Sequence, residues 1–254
     1  MKIKMARTSG SILMVTLGLC SMACSDALAA IETFVESSSG VSASATFEDI
    51  GGGKLQVTLV NTFSGDTPDQ AHVLTGIFFS GADGLTPVSA SAPPGSLQWV
   101  AGTSSPPPGS SVLGKEWAYA SGSPAPGGAS AGIVSGGYYS PVGSGNFASP
   151  GDMLDGTAYG LVSAGYAGAH LGGLDSKTYI QNSMVFTLSG FSGALNISNV
   201  GFQYGAMLTD PFQPGVLVSV PEPGTLAAGI CALLNLWPLL SSQRVRRKES
   251  VDQT

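Results

Sequence analysis

One serine lies in a pattern that could form a catalytic nucleophile. Ser130 is the centre of Gly-Ala-Ser-Ala-Gly at 128–132, and Asp152 or Asp155 and then His170 follow in the chain order of a hydrolase triad. A nucleophile elbow needs a strand before the serine and a helix after it, because the hydroxyl must project from a strained turn. Here prolines precede the serine and a strand-like segment follows it. The sequence therefore predicts a protein that is not an enzyme.

The residues that usually hold cofactors are scarce. His72 and His170 are far apart, and neither has a metal-ligating neighbour at helical or hairpin spacing, which argues against zinc. The glycine-rich string 143–148 is followed by Pro150 where a nucleotide-binding helix would begin. We therefore expect no cofactor.

Calcium is the ion that the acidic residues fit best. Asp152 and Asp155 share the loop 150–156, and Asp66 and Asp69 flank a proline turn. Carboxylates in loops supply the hard oxygen ligands that calcium prefers. Aspartate in turns also bonds its own backbone, and neither loop has the order of residues of an established calcium loop. Asp152 and Asp155 stay calcium candidates, beside the alternative that they only stabilise a turn.

Aromatic side chains could form a platform for sugars, because flat rings stack against sugar faces. The candidates for glycan binding are Trp99, Trp117, Tyr119, Tyr138 and Tyr139. Large aromatic residues also dominate protein cores, and alternation places Trp117 and Tyr119 on one face of a strand. Core packing is the competing interpretation.

The elements that would position these residues are predicted to be β-strands. The chain has 36 glycines and 16 prolines, which divide it into short apolar runs. The clearest pair is 41–47 and 54–62, in which apolar and polar residues alternate on either side of the glycine loop 51–53. Period-two alternation around such a loop predicts a hairpin with one buried face.

Eight further segments have the composition of short strands. They are 73–80, 86–92, 97–101, 116–120, 158–164, 183–189, 197–204 and 215–220. No crossover helices are available between them, so we predict one all-β domain, an antiparallel β-sandwich with a jelly-roll-like arrangement. The proline-rich segment 103–111 and the small-residue segment 121–131 are predicted to be loops.

The N-terminus has the three parts of a secretory signal peptide. Lys2, Lys4 and Arg7 precede a short apolar stretch, and Ala27 and Ala29 occupy the positions that signal peptidase reads. We expect cleavage after Ala29, which removes residues 1–29, with Ala30 as a second candidate position. The alternative, a lipoprotein processed at Cys24, lacks the usual leucine-like residue three positions earlier.

The C-terminus combines a rigid turn, an apolar segment and a positive cluster. Pro221-Glu222-Pro223 precedes the apolar residues 224–240, and the basic residues are Arg244, Arg246, Arg247 and Lys248. The basic cluster favours the cytoplasmic side, which leaves the preceding chain outside. This order resembles the PEP-CTERM signal of bacterial exosortase substrates over residues 220–248, with 249–254 as a tail. An ordinary membrane anchor is the alternative.

Between the two signals the chain is acidic and has no cysteine. Residues 30–220 contain three lysines, no arginine and twelve carboxylates, a formal charge of −9, whereas Cys20, Cys24 and Cys231 lie in the terminal segments. A domain without a basic surface cannot neutralise phosphates, so we expect no nucleic-acid partner. A domain of this length can bury a sufficient core without disulfides.

The resemblance implies that the protein is exported and then processed. Signal peptidase and an exosortase would be its processing enzymes, the inner membrane its transient anchor, and the cell surface or exopolysaccharide matrix of a Gram-negative-type bacterium its destination. We therefore expect residues 30–219 to form a non-catalytic β-rich surface domain in a biofilm context. A carbohydrate-binding or adhesin module is the alternative, and a secreted polysaccharide hydrolase is a further one.

Overall fold

Regular structure in this protein is almost entirely β-strand. The computed structural model describes residues 29–38, 40–107, 109–139, 141, 143–168, 174 and 177–218. Within them the helical elements are short: α1 (Ser110–Leu113) and two 3-10 turns, Gln70–His72 and Pro126–Gly128. The prediction of an all-β domain is confirmed at this level. No helix in the described ranges has the length and apolarity to cross a bilayer, and the predicted sorting helix 224–240 lies outside them.

The first sheet has six strands, all paired in antiparallel fashion. In spatial order they are β15 (Val216–Val218), β1 (Ile31–Ser38), β2 (Val41–Gly51), β3 (Lys54–Asn61), β12 (Ser183–Ser189) and β5 (Thr86–Ser91). The β2–β3 pair is the hairpin predicted from alternation, with Phe47 opposite Val57. Its tip, Gly51–Gly53, has φ of 77°, 64° and 70°, a conformation that glycine adopts without strain.

The second sheet is branched. Its main path is β14 (Phe212–Pro214), β13 (Ser198–Tyr204), β4 (Leu74–Ser80), β10 (Leu161–Val162), β11 (Thr178–Gln181), β6 (Gln98–Val100) and β7 (Thr103–Ser105). The branch consists of β9 (Ala131–Val134), which pairs with β4, and β8 (Ala118–Ser121), which pairs with β9. The short β10–β11 pair is parallel, so the expectation of a wholly antiparallel arrangement is wrong at that point.

The two sheets face each other across one main hydrophobic core. Phe47 of the first sheet meets Phe79 of the second with ring centroids 5.0 Å apart. Trp117, which precedes β8, meets Phe186 of β12 at 4.9 Å. Side chains from both sheets belong to this cluster, so the fold is a β-sandwich in the described residues.

Three local predictions need correction. The segment 103–111, expected to be an extended loop, contains β7 and the start of α1. The strand expected at 116–120 begins at Ala118. The largest omission is β1, because no strand was expected at 31–38 although Phe34 and Glu36 are buried on one face.

Candidate functional site

The predicted signals flank the described domain. Ala29 is exposed, and β1 begins two residues after it at Ile31. At the other end β15 ends at Val218, and Pro221 follows three residues later in the sequence. Ala27, Pro221, Glu222, Pro223, Arg244, Arg246, Arg247 and Lys248 lie outside the described residues.

Both predicted processing points connect to the same end of the first sheet. Thr33 of β1 lies opposite Val218 of β15 on one side and opposite Thr46 of β2 on the other. Because β15 runs antiparallel to β1, the last described residue lies beside the beginning of the domain. Sequence reasoning could not detect this pairing, since the two strands are at opposite ends of the chain.

The strand next to the predicted sorting motif lies at the edge of the first sheet. In the described residues β15 has one neighbour, β1, and forms the edge of its sheet. The residues Val216, Leu217 and Val218 are 67%, 54% and 40% exposed. Directly before them, the Gly215 N–H donates to the Val200 carbonyl of β13 over 2.8 Å. Beyond Gly215, the described chain is attached to the domain through the pairing of β15 with β1.

Most of the proposed glycan-binding aromatics belong to the interior. Trp117 is 0% exposed and its Nε1 donates to the Tyr159 carbonyl over 3.2 Å. Tyr119 is 4% exposed and its hydroxyl donates to the Ala82 carbonyl over 2.6 Å. Tyr139 is also buried. These three rings present no face to a sugar, because the two sheets and their loops cover them.

Trp99 is half-buried beneath the loop that contains Tyr166. The two rings meet edge to face, with centroids 5.2 Å apart. Tyr138, also half-buried, donates its hydroxyl to Thr75 Oγ1 over 3.1 Å. Neither ring forms an exposed flat platform with the others named above, so the described residues supply no aromatic array for sugar stacking.

The four aspartates considered for calcium are in two different environments. Asp69 Oδ1 accepts hydrogen bonds from the Ala71 N–H at 2.9 Å and contacts His72 Nδ1 at 2.6 Å, which is the turn-stabilising alternative. Asp152 and Asp155 are exposed. Burial, followed by the charges of Asp152 and Asp155, raises the pKa of Glu116. No group of three or more metal-ligating residues with a metal-binding arrangement occurs among the described residues.

We expect calcium to leave the thermal stability of this protein unchanged. Asp155 has a cationic neighbour, because Lys177 Nζ lies 4.0 Å from its Oδ1 and donates to its backbone carbonyl over 2.6 Å. A ligand that binds only the folded state raises the melting temperature. A calcium concentration of about 1 mM fills even weak extracellular sites. Melting curves recorded with this concentration and with a chelator should therefore superimpose. A rise that chelator reverses, and that Asp152→Asn abolishes, would contradict this expectation.

Ser130 lies in a context different from that of a nucleophile elbow. Strand β9 begins at the next residue, where an elbow requires a helix. The Ser130 hydroxyl donates to Asp83 Oδ2 over 2.9 Å. His170 lies outside the described residues. The environment of Ser130 is thus that of a serine fixed in a loop between strands.

The buried carboxyl group of Glu36 is a feature that sequence reasoning missed. Glu36 is 6% exposed, and its Oε1 accepts a hydrogen bond from the hydroxyl of the fully buried Tyr204. This contact joins β1 of the first sheet to β13 of the second. The other oxygen, Oε2, is buried without a hydrogen-bond partner. Burial raises the pKa of Glu36, and the side chains of Tyr204 and Ser38, which lower it, offset that effect only in part.

A sequence signal for this carboxyl group did exist. Phe34 and Glu36 are two residues apart, and a strand places such residues on the same face. Once 31–38 is assigned as a strand with Phe34 inside, Glu36 must also point inward.

Comparison with known proteins gives no relative for this chain. No protein-family model, no curated protein and no solved structure matches it.

Proposed function

We propose that this chain is a non-catalytic bacterial surface or matrix protein, exported and then processed by an exosortase at Pro221-Glu222-Pro223. The observation that carries the proposal is the order of three parts: a leader, a β-domain and a tail in which the motif, apolar segment and basic cluster follow one another. The tail supplies the sorting information, and the β-domain is the product that is delivered.

The architecture of the described domain supports this division. The first and last described strands, β1 and β15, pair with each other, so the sandwich is closed between Ile31 and Val218. Removal of the segments before and after this range would take no residue from the main core, whose buried members run from Phe34 to Tyr204. A domain of this kind can remain folded after processing at both ends.

Its chemistry also suits an extracellular product. The segment 30–220 has no cysteine, so its stability does not depend on the redox state of the surroundings. Its formal charge of −9, from three lysines and twelve carboxylates, favours solubility and disfavours anionic partners. The finer jelly-roll-like assignment stays a prediction, as does association with exopolysaccharide.

The test is the fate of the two ends in the native host. We expect protein from the medium or outer surface to begin near Ala30 and to lack the residues beyond about Pro223, as read from intact mass and terminal peptides. Replacement of Pro221, Glu222 and Pro223 by alanine should leave the tail attached and the protein in the membrane fraction, because the recognition motif is gone. The matched control is Pro106→Ala with Pro107→Ala, which alters another proline-rich segment.

Two results would contradict the proposal. If the unaltered protein keeps its tail and stays in the membrane fraction, the C-terminus is an ordinary anchor. If the triple-alanine variant is processed like the unaltered protein, the motif has no role in processing.

A further inference from the structure

We propose that Asn196 is the acceptor site for an N-linked glycan. The residue begins the sequence Asn196-Ile197-Ser198, which has the Asn-x-Ser order of an N-glycosylation acceptor, with a residue other than proline in the middle. Of the six asparagines in the chain, Asn196 alone has serine or threonine two residues later. The inference goes beyond the proposed function, because it concerns a covalent modification of the β-domain and makes no use of the C-terminal motif.

The side chains of this motif alternate between the surface and the core. Asn196 and Ser198 are exposed, whereas Ile197 between them is 6% exposed and belongs to the main hydrophobic core. The acceptor amide and the hydroxyl group that completes the motif are therefore accessible together. Ser198 is the first residue of β13, so the motif lies where a loop enters a strand. Acceptors of this kind occupy surface loops.

The amide of Asn196 is available for a reaction, whereas other asparagine amides support the fold. Asn61 Nδ2 donates to the Leu161 carbonyl over 3.0 Å, and Asn146 Nδ2 donates to the Tyr119 carbonyl over 2.7 Å. A sugar on either of these nitrogens would disturb a contact between elements of the domain. Within the part of the chain that the structure describes, the Asn196 side chain has no hydrogen-bond partner. Its Nδ2 can therefore form a new bond without a loss to the fold.

The backbone on both sides of the acceptor amide is fixed. The Ile197 N–H donates to Glu32 Oε2 over 2.7 Å. The Asn196 carbonyl lies against Gly81, whose φ of 96° suits glycine and where a Cβ would clash with the carbonyl oxygen. The preceding residues 192–194, Ser-Gly-Ala, are small and exposed, so they leave room beside the amide for a sugar. The loop thus presents one accessible amide at a defined place on the sandwich.

The chemistry is the transfer of a sugar from a phosphate donor to an amide nitrogen. Asn196 Nδ2 forms a bond to the anomeric carbon of the sugar, while the bond between that carbon and a phosphate oxygen of the donor breaks. The phosphate leaves with the electron pair, and the amide gives up one proton to a basic group of the transferase. The donor is a sugar phosphate linked to a lipid or to a nucleotide. Neither oxidant nor reductant is needed.

Mass spectrometry of the protein from its native host tests the proposal. We expect the peptide that contains residues 192–200 to carry a sugar, and fragmentation that preserves the glycosidic bond should place this sugar on Asn196. The added mass distinguishes the two donors, because a lipid-linked donor delivers a preassembled oligosaccharide and a nucleotide-linked donor delivers a single sugar. An unmodified Asn196 in this peptide would overturn the inference.

Three variants separate an N-linked glycan from other modifications. Asn196→Gln should abolish the glycan, and Ser198→Ala should also abolish it although the acceptor amide is kept. Ser198→Thr preserves the hydroxyl group of the motif and should preserve the glycan. The matched control is Ser192→Ala, which removes an exposed hydroxyl group from the same loop and should be modified like the unaltered protein. A sugar that persists in Asn196→Gln and disappears in Ser198→Ala would be linked to the serine oxygen, which contradicts the inference.

Two further measurements on the same samples keep these results distinct from other causes. The substituted side chains are exposed, so the variants should have the same circular dichroism spectrum as the unaltered protein. The fate of the C-terminal tail is read from the terminal peptides. A tail that is never removed would contradict the proposed function, whereas an unmodified Asn196 would contradict only the inference about the glycan.

Discussion

Replacement of Trp117 by alanine is expected to lower the free energy of unfolding by about 3–5 kcal/mol. The side chain is fully buried, and its ring lies 4.9 Å from that of Phe186 on the opposite sheet. Removal of the indole would leave a cavity between the sheets that the strands cannot close without breaking their pairing. It would also leave the Tyr159 carbonyl without the hydrogen bond that Nε1 donates over 3.2 Å.

A phenylalanine at the same position separates packing from hydrogen bonding. Trp117→Phe keeps an aromatic ring in the core and removes the N–H, so the expected loss is smaller, about 1–2 kcal/mol. Urea unfolding followed by circular dichroism gives both values and does not depend on tryptophan fluorescence. A loss below about 1 kcal/mol for the alanine variant would show that the ring is not a core element. The glycan-platform interpretation of Trp117 would then regain support.

The local parts of this fold were accessible from the sequence. The hairpin of β2 and β3 was predicted because Ala43, Ala45 and Phe47 alternate with polar residues, and the structure buries those three. Strand β12 (Ser183–Ser189) was predicted with the bounds that the structure gives it. In both cases the signal is local, since period-two alternation depends only on neighbours along the chain.

The parts that failed depend on contacts between distant residues. Pairing of β1 with β15 joins Thr33 to Val218, and nothing in either segment alone specifies the other. The short strands β7 and β14 have three residues each, too few to show a period. Strand β1 itself was missed because a glutamate at position 36 interrupts its apolar face.

The sites predicted from residue type alone were wrong where the side chains are buried. Trp117 and Tyr119 were named for glycans because their rings can stack on sugars, but the same rings fill the core. The spacing of Asp152 and Asp155 suggested a calcium site. The structure places the cationic side chain of Lys177 beside Asp155. The predicted sorting motif was found by the order of its parts, and it stays a prediction because it lies beyond the described residues.

Stability is expected to fall as pH rises through the range in which Glu36 loses its proton. Burial raises the pKa of Glu36 above the ordinary value of 4.5. At a pH below 4.5 the carboxyl group is protonated in both the folded and the unfolded state, so the neutral form stabilises the fold fully. Between 4.5 and the raised folded-state pKa, the unfolded chain releases the proton first. Each unit of that interval costs about 1.4 kcal/mol of stability, and the loss is complete above the folded-state pKa.

Glu36→Gln isolates this contribution because glutamine does not titrate. Its amide oxygen can still accept the Tyr204 hydrogen bond, while its N–H groups occupy the place of Oε2, which has no partner. The unfolding free energy of this variant relative to the unaltered protein should therefore rise with pH from 4.5 up to the folded-state pKa of Glu36 and stay level above it. The control is Glu48→Gln, which removes a carboxylate from the part-exposed end of β2. This control keeps Glu36 and its contact with Tyr204, so its comparison with the unaltered protein leaves the contribution of Glu36 unchanged.

Tyr204→Phe tests whether the hydrogen bond from Tyr204 on the second sheet lowers the pKa of Glu36 on the first. The Tyr204 hydroxyl lowers the pKa of Glu36 against the larger effect of burial, so its removal should raise that pKa further. The interval over which stability falls would then extend to higher pH, and the loss at neutral pH would grow by about 1–3 kcal/mol, the cost of an unpaired buried polar group. In the double variant with Glu36→Gln the additional pH dependence should vanish. An identical pH profile for Tyr204→Phe and the unaltered protein would mean that Glu36 is ionised in contact with water, and that the buried pair does not link β1 to β13.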